Sequence, residues 1–218
     1  MATGTIIDLR KLLAERFPED RLAPAERLVT GLPIFDQTLE GGLSEGAITE
    51  LSSPFPNAGS ATIIAGLLEQ AARDKYFLAL IDGRDSFDPE SLSNQTLRHL
   101  LWVRCHRATE AMPAADLLLR DGNFPLVILD LLLNPLPELR KIPSSNWYRL
   151  QRLVEPTPTA FLVLTPRSMI SSAQYKLVLE NRWHLRQLEV EASELQVQLQ
   201  ARVQRAQPNK WRREAMAG

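Results

Sequence analysis

Cysteine and histidine are scarce in this chain of 218 residues, which has one cysteine, Cys105, and three histidines. A single cysteine cannot form an internal disulfide or supply the several thiolates of a structural zinc site. His99 and His106 flank Cys105 without a carboxylate at ligand spacing, so we expect no metal site. Basic charge is not in excess either, because 25 Lys and Arg face 26 Asp and Glu. This balance argues against nucleic-acid binding through bulk charge.

Long apolar runs are missing as well. None approaches the roughly 20 residues of a membrane-spanning helix, and the first residues lack the pattern of a secretory signal peptide. With 44% hydrophobic and 23% charged residues, the composition is typical of globular chains and not of disordered ones. We therefore expect a cytoplasmic protein without membrane contact, built as one domain with short appendages.

The chain divides into three predicted parts. Residues 1–27 form an N-terminal helix and a polar linker, because apolar residues recur there at helical spacing. The apolar face of this helix consists of Ile6, Leu9, Leu13 and Phe17. This face packs either on its own domain or on a second copy of the chain, which would make a homo-oligomer. Residues 28–204 are the predicted core domain, and residues 205–218 are a predicted basic, flexible tail.

Within the core, apolar strands alternate with helices. The predicted strands are Ala47–Leu51, Tyr76–Ile81, Trp102–Arg104, Leu126–Leu131 and Ala160–Leu164. The predicted helices are Thr62–Arg73, Ser91–Leu101, Ala108–Arg120 and Trp147–Leu153. Continuous apolar strands separated by helices are typical of a parallel sheet covered on both faces. From 195 to 203, apolar and polar residues alternate strictly, which predicts an antiparallel edge strand with Trp183–Leu188 as its hairpin partner.

The order strand, loop, helix over residues 47–68 is the setting of a phosphate-binding loop, whose pattern is G-x-x-x-x-G-K-[ST]. When Gly59 is aligned with the second glycine, Pro54 stands in the place of the first glycine. Ser60 then stands in the place of the lysine, and Ala61 in the place of the Ser/Thr. Thr62 stands one place too late to supply the hydroxyl. Because the lysine and the hydroxyl contact phosphate and magnesium in such loops, we expect a vestigial nucleotide pocket.

This loop and the segments after it resemble the core of RecA-like recombinases. Residues 30–43 are similar to that family's glycine-rich lead-in, Leu80–Arg84 to its second strand, and Leu126–Asp130 to its Walker B strand. The resemblance covers about residues 28–203. It implies an α/β fold with a mostly parallel central sheet, helices on both faces and an antiparallel C-terminal edge hairpin. It also implies a magnesium-supporting position for Asp130, whose alternative is a carboxylate hydrogen-bonded to nearby amides.

The departures from the family's pattern argue against catalysis. Active members carry a water-activating glutamate two residues after the aspartate of the second strand, and Arg84 stands there. A guanidinium cannot act as a general base, and losing one preorganised transition-state group costs about 10²–10³ in rate. Together with Ser60 and Ala61, this predicts an inactive ATPase site, with no cofactor and with ATP binding weak or absent. Arg84 is also a candidate to fill the empty pocket by pairing with Asp130 or Asp85.

Among RecA relatives, the chain is most similar to ImuA, the lysine-less accessory family of bacterial mutagenesis cassettes. The similar segments are the lead-in Thr30–Leu32, the strand Ala47–Leu51, the imperfect phosphate loop and Trp102–Cys105. The resemblance implies a scaffold in the SOS response that supports error-prone translesion synthesis. The implied partners are an inactive, ImuB-like homologue of Y-family polymerases, an error-prone replicative-type polymerase and the recombinase RecA.

Basic residues gather at the C-terminal end of the chain, where the net charge from residue 202 onward is +4. The candidate contact residues are Arg202, Arg205, Lys210, Trp211, Arg212 and Arg213. Basic side chains beside an aromatic ring suit single-stranded DNA, through salt-dependent phosphate contacts and base stacking. A protein partner, or solubility alone, are the alternatives.

Two other functions stay open at this point. The first is an atypical ATPase of DNA repair or recombination that takes its lysine from Lys75 or from a partner subunit. The second is a RecA-fold inhibitor of a partner protein. Nucleotide binding distinguishes the ATPase from the other functions, whereas scaffold and inhibitor differ only in what the partner does.

Overall fold

The computed structural model describes residues 26–55 and 57–206. Its strands are β1 (Arg27–Leu28), β2 (Leu43–Ser44), β3 (Ala47–Ser52), β4 (Leu78–Asp82), β5 (Leu100–Arg104), β6 (Leu126–Asp130), β7 (Ala160–Thr165), β8 (Tyr175–Leu179) and β9 (Ala201–Ala206). Its α-helices are α1 (Pro33–Asp36), α2 (Ser60–Asp74), α3 (Asn94–Leu97), α4 (Ala108–Asp121), α5 (Leu136–Leu139), α6 (Ser144–Val154) and α7 (Ala192–Val197). Two 3₁₀ helices cover Pro89–Ser91 and Leu185–Glu189.

In the described part of the chain, seven strands form one sheet in the order β5-β4-β6-β7-β3-β8-β9. Neighbouring strands are parallel from β5 to β8, and β9 runs antiparallel to β8. Strands β1 and β2 form a separate antiparallel pair. The predicted α/β fold, with a mostly parallel sheet and an antiparallel pair at its C-terminal edge, is confirmed.

Both faces of the sheet are buried, which explains why its central strands are continuously apolar. Consecutive residues of β6 point to opposite faces: Leu126 and Ile128 lie in one core, Val127 and Leu129 in the other. Helix α2 covers the first face, and α4 and α6 cover the second. Trp147 of α6 is 2% exposed and lies in the core of the second face.

Helix α2 sets the geometry of the sheet edge where β3 ends. Its apolar residues at i, i+1, i+4 and i+5 are fully or almost fully buried: Ile63, Ile64, Leu67 and Leu68. Burying one such side chain contributes about 1.5–3 kcal/mol, so this face holds the helix firmly against the sheet. The helix ends at Asp74, because Lys75 after it has a left-handed φ of 61°. Since the helix begins at Ser60, shortly after β3 ends at Ser52, its N-terminus lies at the carboxyl ends of the parallel strands.

The C-terminal region differs from the sequence prediction. The alternating stretch from 195 to 203 is not one strand, because helix α7 runs to Val197 and β9 begins at Ala201. Nor does Trp183–Leu188 form a hairpin with it: β9 pairs with β8, and Leu177 faces Val203. The alternation misled because it does not follow burial here: Val197 is 68% exposed, whereas Leu199 is 5% exposed.

Smaller differences concern other boundaries. The predicted helix Ser91–Leu101 is helical only over Asn94–Leu97, and strand β5 starts two residues earlier than expected. Strand β9 runs to Ala206 and so includes Arg205, which was assigned to the tail. Outside the described residues lie the proposed self-association residues Ile6, Leu9, Leu13 and Phe17 and the tail residues Lys210, Trp211, Arg212 and Arg213. Among the described helices, none combines the length and apolar character needed to cross a membrane.

Candidate functional site

A cavity of about 450 Å³ opens at the carboxyl ends of β3, β4 and β6. In open α/β sheets, ligands bind at this edge. The hydroxyl and carboxylate side chains that line the cavity are Ser53, Ser60, Ser86, Ser91, Asp88 and Asp130. Its apolar walls are Pro54, Phe55, Ala61, Ile64, Ala65, Phe87, Leu132, Leu133 and Pro166. The loop after β3, the start of α2, the turn after β4 and the end of β6 therefore converge on one space.

Three of the six residues proposed for a vestigial nucleotide pocket line this cavity: Ser60, Ala61 and Asp130. Gly59 does not; it precedes α2 with a φ of +98° and packs against Trp183. Thr62 is half-buried on the first turn of α2 and is not a lining residue. The structure thus brings Ser60, at the lysine position, into the same cavity as Asp130, at the magnesium-supporting position. The hydroxyl of Thr62 lies outside this cavity.

Arg84 does not fill the cavity, and the hypothesis that it pairs with Asp130 or Asp85 is wrong. Its guanidinium donates a hydrogen bond to the carbonyl of His106 at 2.9 Å. Asp85 is instead bound by Arg104, with two N–H···O distances of 2.6 and 2.8 Å. The cation that stands in the place of the water-activating glutamate is therefore turned away from the site.

Asp82, the last residue of β4, orders the turn that carries the cavity residues Ser86, Phe87 and Asp88. It is 1% exposed, and its carboxylate accepts hydrogen bonds from the amides of Arg84, Ser86 and Phe87 at 3.2, 2.7 and 2.8 Å. A buried carboxylate needs such donors to offset its loss of hydration. The sequence analysis did not predict that the side chains of this turn line a cavity; the polar cluster directly after a buried parallel strand was the available signal.

Asp130 ends β6 beside Asp82, its partner in the parallel register. One oxygen of its carboxylate accepts a hydrogen bond from the amide of Leu132 at 3.0 Å. Burial raises the pKa of Asp130 to about 6, and the negative charge of Asp82 adds to the rise, while the hydrogen bond from Leu132 lowers it. The bond to Leu132 fits the alternative in which Asp130 is held by nearby amides.

None of the described residues that line the cavity has a positive side chain to receive a phosphate. Its ionisable lining residues, within the described part of the chain, are Asp88 and Asp130. The N-terminus of α2 offers only about half a positive charge, which two carboxylates outweigh. Where an active phosphate loop concentrates positive charge, this site concentrates negative charge.

The loop in the phosphate-loop position is held by the chain's own C-terminal segment. The Trp183 amide donates to the Asn57 carbonyl at 3.0 Å, and the Asn57 side chain donates to the Trp183 carbonyl. The guanidinium of Arg182 lies 3.9 Å from the ring centre of Phe55, a cation–π contact. Sequence reasoning missed this contact, because residues about 125 positions apart carry no local signal.

Lys75 lies at the wrong end of α2 to replace the missing lysine. The helix has 15 residues, and at 1.5 Å per residue its ends are about 22 Å apart. Lys75 follows the last residue of the helix, whereas the cavity is lined by Ser60 and Ala61 at the first turn. The lysine of an active site is therefore not supplied by Lys75 of the same chain.

Comparison with known proteins finds similarity to RecA. The chain is 30% identical over 118 residues to the RecA protein of Clavibacter michiganensis subsp. michiganensis, which is 53% of this chain and 32% of that protein. It is likewise 30% identical over 118 residues to the RecA protein of Leifsonia xyli subsp. xyli, 53% of this chain and 33% of the relative. The chain is 26% identical over 126 residues to the RecA protein of Corynebacterium aurimucosum, which is 56% of this chain and 33% of that protein.

This similarity supports a RecA-like core. The chain spans about a third of the length of the RecA proteins that it matches. No family model matches it. The similarity and the strand order agree on the same α/β architecture, with the cavity at the edge where such folds bind ligands.

Proposed function

We propose that this protein is a non-catalytic RecA-like accessory protein of DNA repair that supports error-prone translesion synthesis. The observation that carries the proposal is the cavity at the phosphate-loop position, which is lined by two carboxylates and, among residues 26–55 and 57–206, by no cation. Such a site repels a triphosphate, so the RecA-like core serves as a scaffold for contacts with other proteins. The similarity to RecA proteins supports the assignment to repair or recombination.

Three groups needed for ATP hydrolysis are replaced or displaced in this chain. Ser60 stands in the cavity where the phosphate lysine is expected. Arg84 stands where the glutamate is expected and bonds to the His106 carbonyl instead. Ala61, which has no hydroxyl, stands at the magnesium position, and Thr62, one place later, lies outside the cavity lining. Since each such group contributes about 10²–10³ in rate, their combined loss leaves no basis for turnover.

The narrower role in translesion synthesis is supported by the resemblance of the chain to the ImuA family. On that basis the partners are an ImuB-like homologue of Y-family polymerases, an error-prone replicative-type polymerase and RecA. Self-association is a further part of the proposal. Strand β5 is an edge of the described sheet, and an edge strand offers unpaired N–H and C=O groups to another chain.

The experiment for this function measures damage-induced mutation in the cell of origin. Deleting the gene should abolish most of the induced mutations without reducing survival through homologous recombination. Unchanged induced mutation after deletion would contradict the translesion role.

A matched variant tests whether the role is non-catalytic. Because Lys75 lies about one helix length from the cavity of its own chain, the ATPase alternative can use it only from a partner subunit. Lys75→Asn removes that ammonium group and keeps a residue that tolerates a φ of 61°. Induced mutation should stay at the level of the unaltered chain. A loss of induced mutation, with the variant present at normal abundance, would favour the ATPase instead.

Contact with single-stranded DNA through the C-terminal end is a separate part of the proposal. Arg205 belongs to β9 and donates to the Ser171 carbonyl at 3.0 Å, while Arg202 pairs with Glu180 at 3.0 Å. A truncation that tests the tail should therefore begin after Ala206, so that β9 stays intact. Affinity for single-stranded DNA should fall and depend less steeply on salt. An unchanged affinity and salt slope would exclude the tail as the DNA contact.

A further inference from the structure

The cavity at the carboxyl ends of β3, β4 and β6 has the size of a ligand site. Its volume of about 450 Å³ falls within the range of roughly 300–1,000 Å³ found for small-molecule pockets. Most of its wall is apolar, with a few polar groups that converge from different elements, which is the usual make-up of such pockets.

The negative charge of the lining indicates which ligand chemistry fits the cavity. We propose that the cavity binds an organic cation, a guanidinium or ammonium group carried on an apolar stem. Asp130 would bind the cationic group, because one of its oxygens accepts the Leu132 amide and the other accepts no hydrogen bond from the described residues. Asp88 lies in the same lining and lends a second negative charge. This inference rests on the proposed function only in that the cavity holds no nucleotide.

The apolar walls determine the rest of the ligand. Phe55, Phe87 and Leu132 line the same cavity as Asp130, so a flat or aliphatic stem finds contact surface next to the carboxylate. A charge-assisted hydrogen bond in such surroundings is about twice as strong as a neutral one. Nearby Arg182 does not neutralise Asp130, because it is not a lining residue and lies over the ring of Phe55.

Direct binding to the full chain at pH 8, where Asp130 is ionised, tests the proposal. The probes are phenylguanidine, its neutral near-isostere phenylurea, and N-acetyl-arginine amide, which presents the guanidinium on a peptide. Phenylguanidine should bind at least about ten-fold more tightly than phenylurea. Tighter binding of the arginine derivative than of phenylguanidine points to a partner's side chain as the natural source of the cation, and the reverse order points to a small molecule. Both orders support the proposal.

Two variants locate the binding. Asp130→Asn keeps the shape of the side chain and the acceptor for Leu132, and should weaken phenylguanidine at least about ten-fold. Asp121→Asn is the matched control, since Asp121 is an exposed carboxylate outside the cavity lining, with Asn123 as its side-chain partner; we expect unchanged affinity. Circular dichroism and a thermal melt verify that both variants fold.

The outcomes separate this proposal from the proposed function. Equal binding of phenylurea, or an affinity that Asp130→Asn leaves unchanged, would overturn the cation site. If neither cation binds and MgATP also fails to bind, the cation site is wrong and the non-catalytic role stands. If MgATP binds and displaces phenylguanidine, the non-catalytic role is in doubt and the cation is not the ligand of this cavity.

Discussion

Replacing Asp130 with Asn should stabilise the protein at neutral and alkaline pH. Burial and the neighbouring Asp82 raise the pKa of Asp130 from 3.8 to about 6, so the ionised carboxylate is less favourable in the folded chain than in the unfolded one. A raised pKa means that the folded state holds the proton more tightly between pH 4 and pH 6. The folded state therefore loses stability as the pH rises through this window.

The magnitude follows from the size of the shift. One pKa unit corresponds to 1.36 kcal/mol, so a rise from 3.8 to about 6 costs about 3 kcal/mol once the pH exceeds about 7. Asn carries no charge and can still accept the hydrogen bond from the Leu132 amide. The variant should therefore be about 3 kcal/mol more stable than the unaltered chain at pH 8, and about equal to it at pH 4.

Chemical denaturation monitored by tryptophan fluorescence at pH 4, 6 and 8 measures this difference. The control is Asp116→Asn, where the sign is opposite. Burial raises the pKa of Asp116, but the hydrogen bonds from Arg120 and Arg149 outweigh it and the pKa is lowered overall. Asp116 thus stabilises the fold above its unfolded pKa, and the variant should be destabilised at pH 8. An Asp130→Asn variant that is no more stable than the unaltered chain at pH 8 would refute the reasoning.

Two further substitutions test the internal structure. Glu50 is 0% exposed, forms a salt bridge with Lys176 at 3.2 Å and accepts hydrogen bonds from two amides. Glu50→Gln should therefore cost about 3–5 kcal/mol in urea unfolding, and a cost below about 1 kcal/mol would contradict a buried ion pair. Gly59→Ala adds a Cβ that meets the Trp183 ring at 2.7 Å, whereas at Gly41, also at positive φ, the nearest neighbour is 3.7 Å away. Gly59→Ala should therefore cost at least about 1 kcal/mol more than Gly41→Ala, and equal costs would contradict close packing of Trp183 on the loop.

The parallel part of the sheet was predictable because each strand is buried on both faces. Leu126–Leu131 and Ala160–Leu164 are continuous apolar runs, and the strands they predict end within one residue of the observed ends. Helix Ala108–Arg120 was also found within one residue, because Gly122 ends it with a left-handed φ of 67°. At these elements the burial pattern and the local stop signals agree, so the sequence alone predicts where each element begins and ends.

An antiparallel pair at the C-terminal edge of the sheet was predicted correctly, but the residues assigned to its two strands were wrong. Strand β8 alternates between buried and half-buried positions, yet no strand was predicted over its residues. Around 195–203, alternation of residue type was mistaken for alternation of burial. Because only one face of an edge strand is covered, few of its residues are buried. The alternation of apolar and polar residues is then too short to distinguish a strand from a turn of helix.

For the candidate site, sequence comparison located Ser60 and Asp130, because their positions follow strand ends in a recognisable order. It did not reveal that Arg84 points to His106 or that Trp183 packs on the loop at Gly59. Both contacts depend on side-chain direction and on pairing between distant segments. Neither follows from the type of residue at a position.

The most direct measurement of the non-catalytic role is a calorimetric titration of MgATP into the full chain, with phosphate release followed in the same buffer. A RecA protein serves as the positive control. Because the cavity is lined by Asp88 and Asp130 and by no cation in the described part of the chain, we expect no saturable binding up to millimolar MgATP and no phosphate release above buffer. Micromolar, magnesium-dependent binding accompanied by turnover would contradict a non-catalytic scaffold.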